Sequence, residues 1–421
     1  MILALYRWLT TLASPVIQLY LQRRLKRGKE DAARLPERMG IAGRARPDGP
    51  LVWLHAASVG EAVSMLPIIE TLQARQTVLL TTGTVTSAAM MATRLPAGAI
   101  HQFVPVDRVA WVKRFLDHWR PDLALWCESE FWPNLLLETG RRQIPAILLN
   151  GRISERSFSR WKLFPGVIGP LLAVFALCLG QTERDAKRLS RLGARKALCL
   201  GNLKFAAPPL AADEKILAGL RTERPRWLAA STHDGEELLA GRVHVALQKE
   251  FPDLLTFIVP RHAGRGDAIC RELTAAGFRV AQRSKEQPIG DCQIYLADSM
   301  GELGLFIRLA PLVLMGKSLI GQGGQNPLEP ARLAASVLFG PNMSNFIDIA
   351  SRMREAGAAL QVAGEAELTA ELAKRLRDPA LVGREGQNAQ KFASAEDGVL
   401  AKVVGAIEPW LPVGERKDAG A

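Results

Sequence analysis

From residue 50 onward the chain alternates short, continuous apolar runs with longer stretches whose apolar residues recur at helical spacing. "LVWL", "TVLLTT", "LALWC", "AILLN", "FALCLG" and "ALCLG" read as strands, most leading through a polar turn into a helix. Around Phe205 the rhythm halts at "AAPPLAAD", a proline-containing join. It resumes with "RWLAAS", "LLTFIVP", "QIYLAD", "LVLMG" and "SVLFG". Strands that are apolar throughout are covered on both faces, and helices between them set them parallel. The pattern predicts an α/β protein of two doubly wound domains, residues 29–205 and 213–421, joined by a linker at 206–212. Ligands of such sheets sit at the carboxyl ends of the strands. The polar strand-to-helix turns therefore describe two rims facing a cleft.

Residues 1–28 stand apart. "MILALYRWLTTLASPVIQLYLQ" is largely apolar and "RRLKRGK" follows at once. A signal peptide carries its positive charge first, so this order is wrong for one. Arg7, Pro15 and Gln18 interrupt a segment that is barely long enough to cross a bilayer. Three readings stand: a weak single span with its basic flank in the cytoplasm, an interfacial helix held by Tyr6, Trp8, Tyr20 and anionic lipid, or a terminal helix packed on the first domain. Either membrane reading leaves the body of the protein cytoplasmic.

Composition narrows the chemistry. A chain of 421 residues with 48% apolar and 23% charged residues suits two folded domains. The net charge of +12 favours an anionic partner: nucleic acid, an acidic lipid surface or a phosphorylated substrate. With only three Tyr and no basic-aromatic alternation, nucleic acid is not expected. Five scattered cysteines without C-x-x-C point to a reducing compartment and no cysteine zinc site. The six histidines form no H-E-x-x-H or similar pattern, so no protein-held metal is expected.

The turns carry the candidate chemistry. In "LHAASVGEA", Ser58-x-x-Glu61 fits a capping box at the start of a helix, and Glu61 equally suits a proton acceptor at a strand end. "ESEFWPN" adds Glu128 and Glu130 after another strand, and "GNLKF" places Lys204 before the join. In the second half "MGKS" resembles part of a phosphate loop, but Pro311 stands where its first glycine is required, so it fails as one. No G-x-G-x-x-G follows a strand, and no nicotinamide, flavin or other cofactor is expected. "ADSMGELGLF" offers Asp298 or Ser299 as a cap, Gly301 for close approach and Glu302 for ribose hydroxyls. "GGQNPLEPARLA" offers Asn326 as a cap, Pro327 at the first helical position and Glu329 in the first turn, a start whose free amides suit phosphate. "VPRHAGR" sets Arg261, His262 and Arg265 just past a strand end, where arginine suits a phosphate or carboxylate. Carboxylates on one rim and a phosphate-binding rim opposite are what sugar transfer from a phosphate leaving group to a hydroxyl requires.

In order, "HAASVGE", "ESEFWPN", "NGRISERS", "GQTERD", "GNLKF", "STHDGEE", "VPRH", "DSMGEL" and "GGQNPLE" resemble the lipopolysaccharide 3-deoxy-D-manno-octulosonic acid (Kdo) transferase family, from about residue 30 to 400. The resemblance implies a glycosyltransferase of the two-Rossmann-domain B type. It implies transfer of Kdo from CMP-Kdo to the lipid A precursor lipid IVA, with inversion and without a bound metal. It makes Glu61 the general base and gives Glu130 and Lys204 supporting catalytic roles. It places CMP-Kdo contacts on Pro260, Arg261, Met300, Gly301, Glu302, Asn326, Pro327, Leu328 and Glu329. It also sets the N-terminal segment at the cytoplasmic face of the inner membrane, because the acceptor is a lipid. One departure shows: Gln325 stands where the family often has histidine before "NPLE".

Overall fold

The computed structural model of the protein describes residues 1–395 and 398–412, in two compact units. One comprises Met1–Ala207 with the described residues from 398 onward, the other Pro208–Ala395.

The first unit holds a seven-stranded parallel sheet: β1 (Leu51–His55), β2 (Thr77–Thr82), β3 (Ile100–Phe103), β4 (Leu123–Cys127), β5 (Ala146–Gly151), β6 (Phe175–Gly180) and β7 (Ala197–Cys199). Their spatial order is β3-β2-β1-β4-β5-β6-β7. Successive residues of β1 enter opposite cores, Leu51 and Trp53 on one face, Val52 and Leu54 on the other. This two-sided burial is why the strands lack polar alternation. The order reverses between β1 and β4, and in open α/β sheets a ligand crevice opens at that switch point.

One boundary differs from the sequence expectation. The helix Val399–Ile407 buries Val399, Val403 and Ile407 in the first unit's core, not the second's. The expected second domain of residues 213–421 is therefore too long. An apolar face at helical spacing shows that a helix will be buried, not which sheet will bury it.

The first two helices, α1 (Ile2–Leu12) and α2 (Ser14–Lys26), are bent by 64°. Among the described residues no single helix is long and apolar enough to cross a membrane. The polar face of α1 is tied to the first unit: the Tyr6 hydroxyl donates to Asp107 at 2.9 Å, and Arg7 pairs with the buried Glu138 at 2.7 Å. Asn134 Nδ2 donates to Thr10 Oγ1 at 3.1 Å. Ile2, Leu5, Trp8, Leu9, Leu12, Val16, Leu19 and Tyr20 are exposed.

The second unit repeats the plan with β8 (Arg226–Thr232), β9 (Leu255–Pro260), β10 (Val280–Gln282), β11 (Ile294–Leu296), β12 (Leu312–Met315), β13 (Ser336–Phe339) and β14 (Leu360–Gln361). All are parallel, in the order β10-β11-β9-β8-β12-β13-β14, with the reversal between β8 and β12.

Candidate active site

In the first unit the switch point gathers the carboxylates. β1 ends at His55, and α3 (Val59–Gln73) begins after Ser58. The capping box forms: Ser58 Oγ accepts from the Glu61 amide at 3.4 Å and donates to Glu61 Oε1 at 2.9 Å, while the Ala57 amide donates to Glu61 Oε2 at 2.8 Å. Those bonds favour the carboxylate, yet they do not prevail. Burial, together with the negative charge of Glu128 and Glu130, pushes the Glu61 carboxyl up to about 7. The carboxyl that caps the helix is thus one that takes up a proton near neutral pH.

Glu130 is fixed by the Trp132 indole, which donates to its Oε2 at 2.7 Å, and by the Trp126 indole on its carbonyl at 2.6 Å. Lys204 pairs with Glu128 at 3.0 Å. Three side-chain amides, one from the end of β5 and two from turns, steer that contact. Gln181 Nε2 donates to Glu128 Oε1 at 3.2 Å, Asn202 Oδ1 accepts the Lys204 amide at 3.0 Å, and Asn150 Oδ1 accepts the Leu203 amide at 3.0 Å. Glu61, Glu130 and Lys204 are therefore brought to one cluster. Glu128, which the sequence placed at a strand end without a role, is its hub.

In the second unit β8 carries an irregularity at Ser231, whose φ is 57°. The bulge turns the chain toward the end of β12. Here the "MGKS" turn does make an anion nest, but a protein carboxylate fills it. Glu236, 4% exposed, accepts from the Lys317 amide at 2.6 Å and the His233 amide at 2.9 Å. The Ser318 and Ile320 amides also bond it, and burial nevertheless raises its carboxyl above the ordinary value.

Around this nest lies positive charge. Burial and the charges of Lys317, His262, Arg261 and Arg265 hold His233 down at about 4. Gln325 Nε2 lies 2.8 Å from His233 Nε2, so the amide donates and the ring accepts there. The residue that departs from the resembled pattern thus fixes a neutral His233. Arg265 is committed to the fully buried Glu237 at 2.9 Å and to Asp234 at 3.0 Å.

The remaining expected contacts sort unevenly. Pro260 ends β9, and the Arg261 amide donates to the Thr232 carbonyl at 2.9 Å, which sets Arg261 beside the nest. Met300 is exposed and Gly301 has φ 86°, both in the turn after β11. Glu302, expected for ribose hydroxyls, is held bidentate by Arg283 at 2.8 and 3.0 Å and accepts from Ser299, and Arg283 keeps its carboxyl below the ordinary value. Neither Asp298 nor Ser299 caps the next helix: Asp298 instead accepts from Gln282 and Ser284. The helix expected to begin at Pro327 runs Leu328–Arg332, with Asn326 Oδ1 accepting the Leu328 amide at 3.1 Å and Glu329 in its first turn. Pro327 is its N-cap, already in helical conformation at φ −76° and ψ −11°, so the start differs from the expected one by a single residue.

Two parallel-sheet units with polar clusters at their carboxyl ends define the class of B-type glycosyltransferases and related nucleotide-sugar enzymes. A solved UDP-N-acetylglucosamine 2-epimerase superposes with a TM-score of 0.57 at 14% identity, over 90% of this chain and 100% of that one. MurG of Acinetobacter baumannii gives 0.54 at 12% identity, over 86% of this chain and 100% of that one. These likenesses show the fold alone. A family model described as 3-deoxy-D-manno-octulosonic-acid transferase matches residues 33–207. The 3-deoxy-D-manno-octulosonic acid transferase of Rickettsia bellii is 32% identical over 419 residues, 97% of this chain and 99% of that protein. That of Haemophilus influenzae is 31% identical over 397 residues, 90% of this chain and 91% of that protein. The chain belongs to the 3-deoxy-D-manno-octulosonic acid transferase family and is a glycosyltransferase.

Proposed function

We propose that the protein transfers Kdo from CMP-Kdo to lipid IVA with inversion, Glu61 acting as general base. The observation that carries the reading is Glu61 itself, a carboxyl at the first unit's switch point raised to about 7. A base with that value is largely ionised just above neutral pH and still basic enough to take a hydroxyl proton. The acceptor hydroxyl oxygen bonds to the anomeric carbon of Kdo as the bond to CMP breaks. The electron pair leaves on the phosphate, and the hydroxyl proton passes to Glu61. Arg261 and Lys317 supply positive charge for the donor, and Lys204 supplies it beside the carboxylates.

The test is incubation of the full chain with CMP-Kdo and lipid IVA in detergent and EDTA. The expected product carries Kdo with inverted anomeric configuration by NMR. No product from folded protein, or retained configuration, overturns the reading.

The lipid acceptor gives the N-terminal pair its place. The outward face of α1 and α2 is apolar, and Arg23, Lys26, Arg27 and Lys29 beside it are exposed. Such a face lies in the interface of an anionic leaflet, here the cytoplasmic face of the inner membrane. Replacing Leu5, Trp8 and Leu9 together by Ser is expected to weaken co-sedimentation with anionic vesicles about tenfold or more. Because Tyr6, Arg7 and Thr10 keep their contacts, far-ultraviolet circular dichroism should stay unchanged. Undiminished vesicle binding would remove the segment from the membrane.

A further inference from the structure

We propose that Glu128 is a positioning residue of the transfer reaction: its carboxylate holds the Lys204 ammonium and stands as a fixed negative charge beside Glu61. The proposal rests on the reading of Glu61 as the base.

Geometry carries it. Glu128 Oε1 meets Lys204 Nζ at 3.0 Å, with the two side chains only 18% and 14% exposed. A pair so shielded is screened far less than a surface ion pair. Three buried side-chain amides from separate places in the chain serve this one contact. Gln181 donates to the Glu128 carboxylate, Asn202 turns the backbone at Lys204, and Asn150 holds the preceding amide. A structural salt bridge needs no such convergence.

Backbone strain points the same way. Glu128 has φ 57°, a left-handed conformation that is strained for a residue other than glycine. Its amide donates to the Leu149 carbonyl at 3.0 Å, which continues the ladder between β4 and β5 through the strained residue. Strain of this kind persists where the surroundings over-determine it, and it clusters at functional sites.

Charge completes the argument. The groups acting on Glu61 are the Glu128 and Glu130 carboxylates, the Ala57 amide and the Ser58 hydroxyl. The buried Cys127 thiol is acted on by Glu128, Glu61 and Lys204 together, which makes them one electrostatic cluster. Glu128 is therefore asked to do two separable things. It fixes where Lys204 sits, and it opposes ionisation of Glu61.

The experiment is kcat/KM against pH for the full chain, comparing wild type with Glu128→Gln and Glu128→Asp on CMP-Kdo and lipid IVA. Glu128→Gln keeps the shape and removes the charge. Its plateau should fall about tenfold or more, the scale of a misplaced catalytic group. Its acid limb should move about one unit toward lower pH, as expected when a like charge leaves a shared site. Glu128→Asp keeps the charge, withdraws it from Lys204 by one methylene, and tolerates the left-handed backbone. Its plateau should fall while its limb stays at the wild-type position. A merely structural role lowers plateaus but moves no limb. A Glu128→Gln plateau within about twofold of wild type, or a limb that does not move, overturns the proposal. If Glu128→Gln does not fold, an unchanged plateau in Glu128→Asp overturns it. Failure of the base reading is distinct: it shows as Glu61→Gln retaining the wild-type plateau.

Discussion

Glu61→Gln is expected to lower Kdo transfer about 100-fold or more at pH 8, the usual scale of a lost general base, with Glu61→Ala no better. The same change should leave the protein more stable at that pH. A carboxyl whose folded value of about 7 lies above its ordinary 4.5 binds protons more readily in the native state. Its contribution to stability is fully present below about pH 4.5 and is lost as pH rises through about 7. At pH 8 the wild type therefore carries an ionised, poorly solvated carboxylate beside Glu128, and glutamine removes it. A gain on the order of 2 kcal/mol in urea unfolding at pH 8, vanishing near pH 4, is the expected signature. In wild type the activity is expected to rise with pH through about 7, because a base must be ionised to act. A glutamine variant that keeps wild-type activity and is no more stable at pH 8 would put Glu61 in the hydrogen-bonding of its helix and nowhere else.

The second large effect belongs to Gly316. A Cβ there would lie 2.3 Å from the Ser231 carbonyl oxygen and 2.8 Å from Thr232 Cα. Both obstacles are backbone, at the irregular end of β8, so neither can swing aside. Its amide bonds the Ala230 carbonyl at 2.8 Å, which ties β12 to β8 where the nest begins. Gly316→Ala must push the two strand ends apart and draw the Lys317 amide from Glu236. A loss of about 2–4 kcal/mol in unfolding free energy is expected, in the range of overpacked sites with buried hydrogen bonds broken. The KM for CMP-Kdo should rise about tenfold or more, because the charges around His233 ride on the same loop. An alanine variant with wild-type stability and KM would mean that the strand ends are looser than their spacing implies.

Much of this was legible in the sequence because burial on both faces writes itself as unbroken apolar runs. β1, β2, β4, β5, β6, β8 and β9 lie where those runs lie. The helix Val399–Ile407 was not assignable, since its apolar face fits either core. At the site, residue type and position in the turns singled out Glu61, Glu130 and Lys204, and the fold gathers these three side chains. What sequence reading missed were pairings. Nothing local says that Glu128 turns left-handed to meet a lysine 76 positions later. Nor does it say that Arg283 occupies Glu302, or that Glu236 fills a turn 81 positions away. Such partners are chosen by topology, which carries no short-range signal.

The filled nest has a consequence of its own. An empty ring of amides would have to desolvate and order itself each time an anion arrived, and would hold any small anion that fitted. With Glu236 already satisfying the Lys317 and His233 amides, that ordering is completed when the unit folds. The turn is a preorganised scaffold, closed to free phosphate, that presents side-chain charge in a fixed array. Selectivity then depends on matching that array and no longer on bearing a phosphate alone.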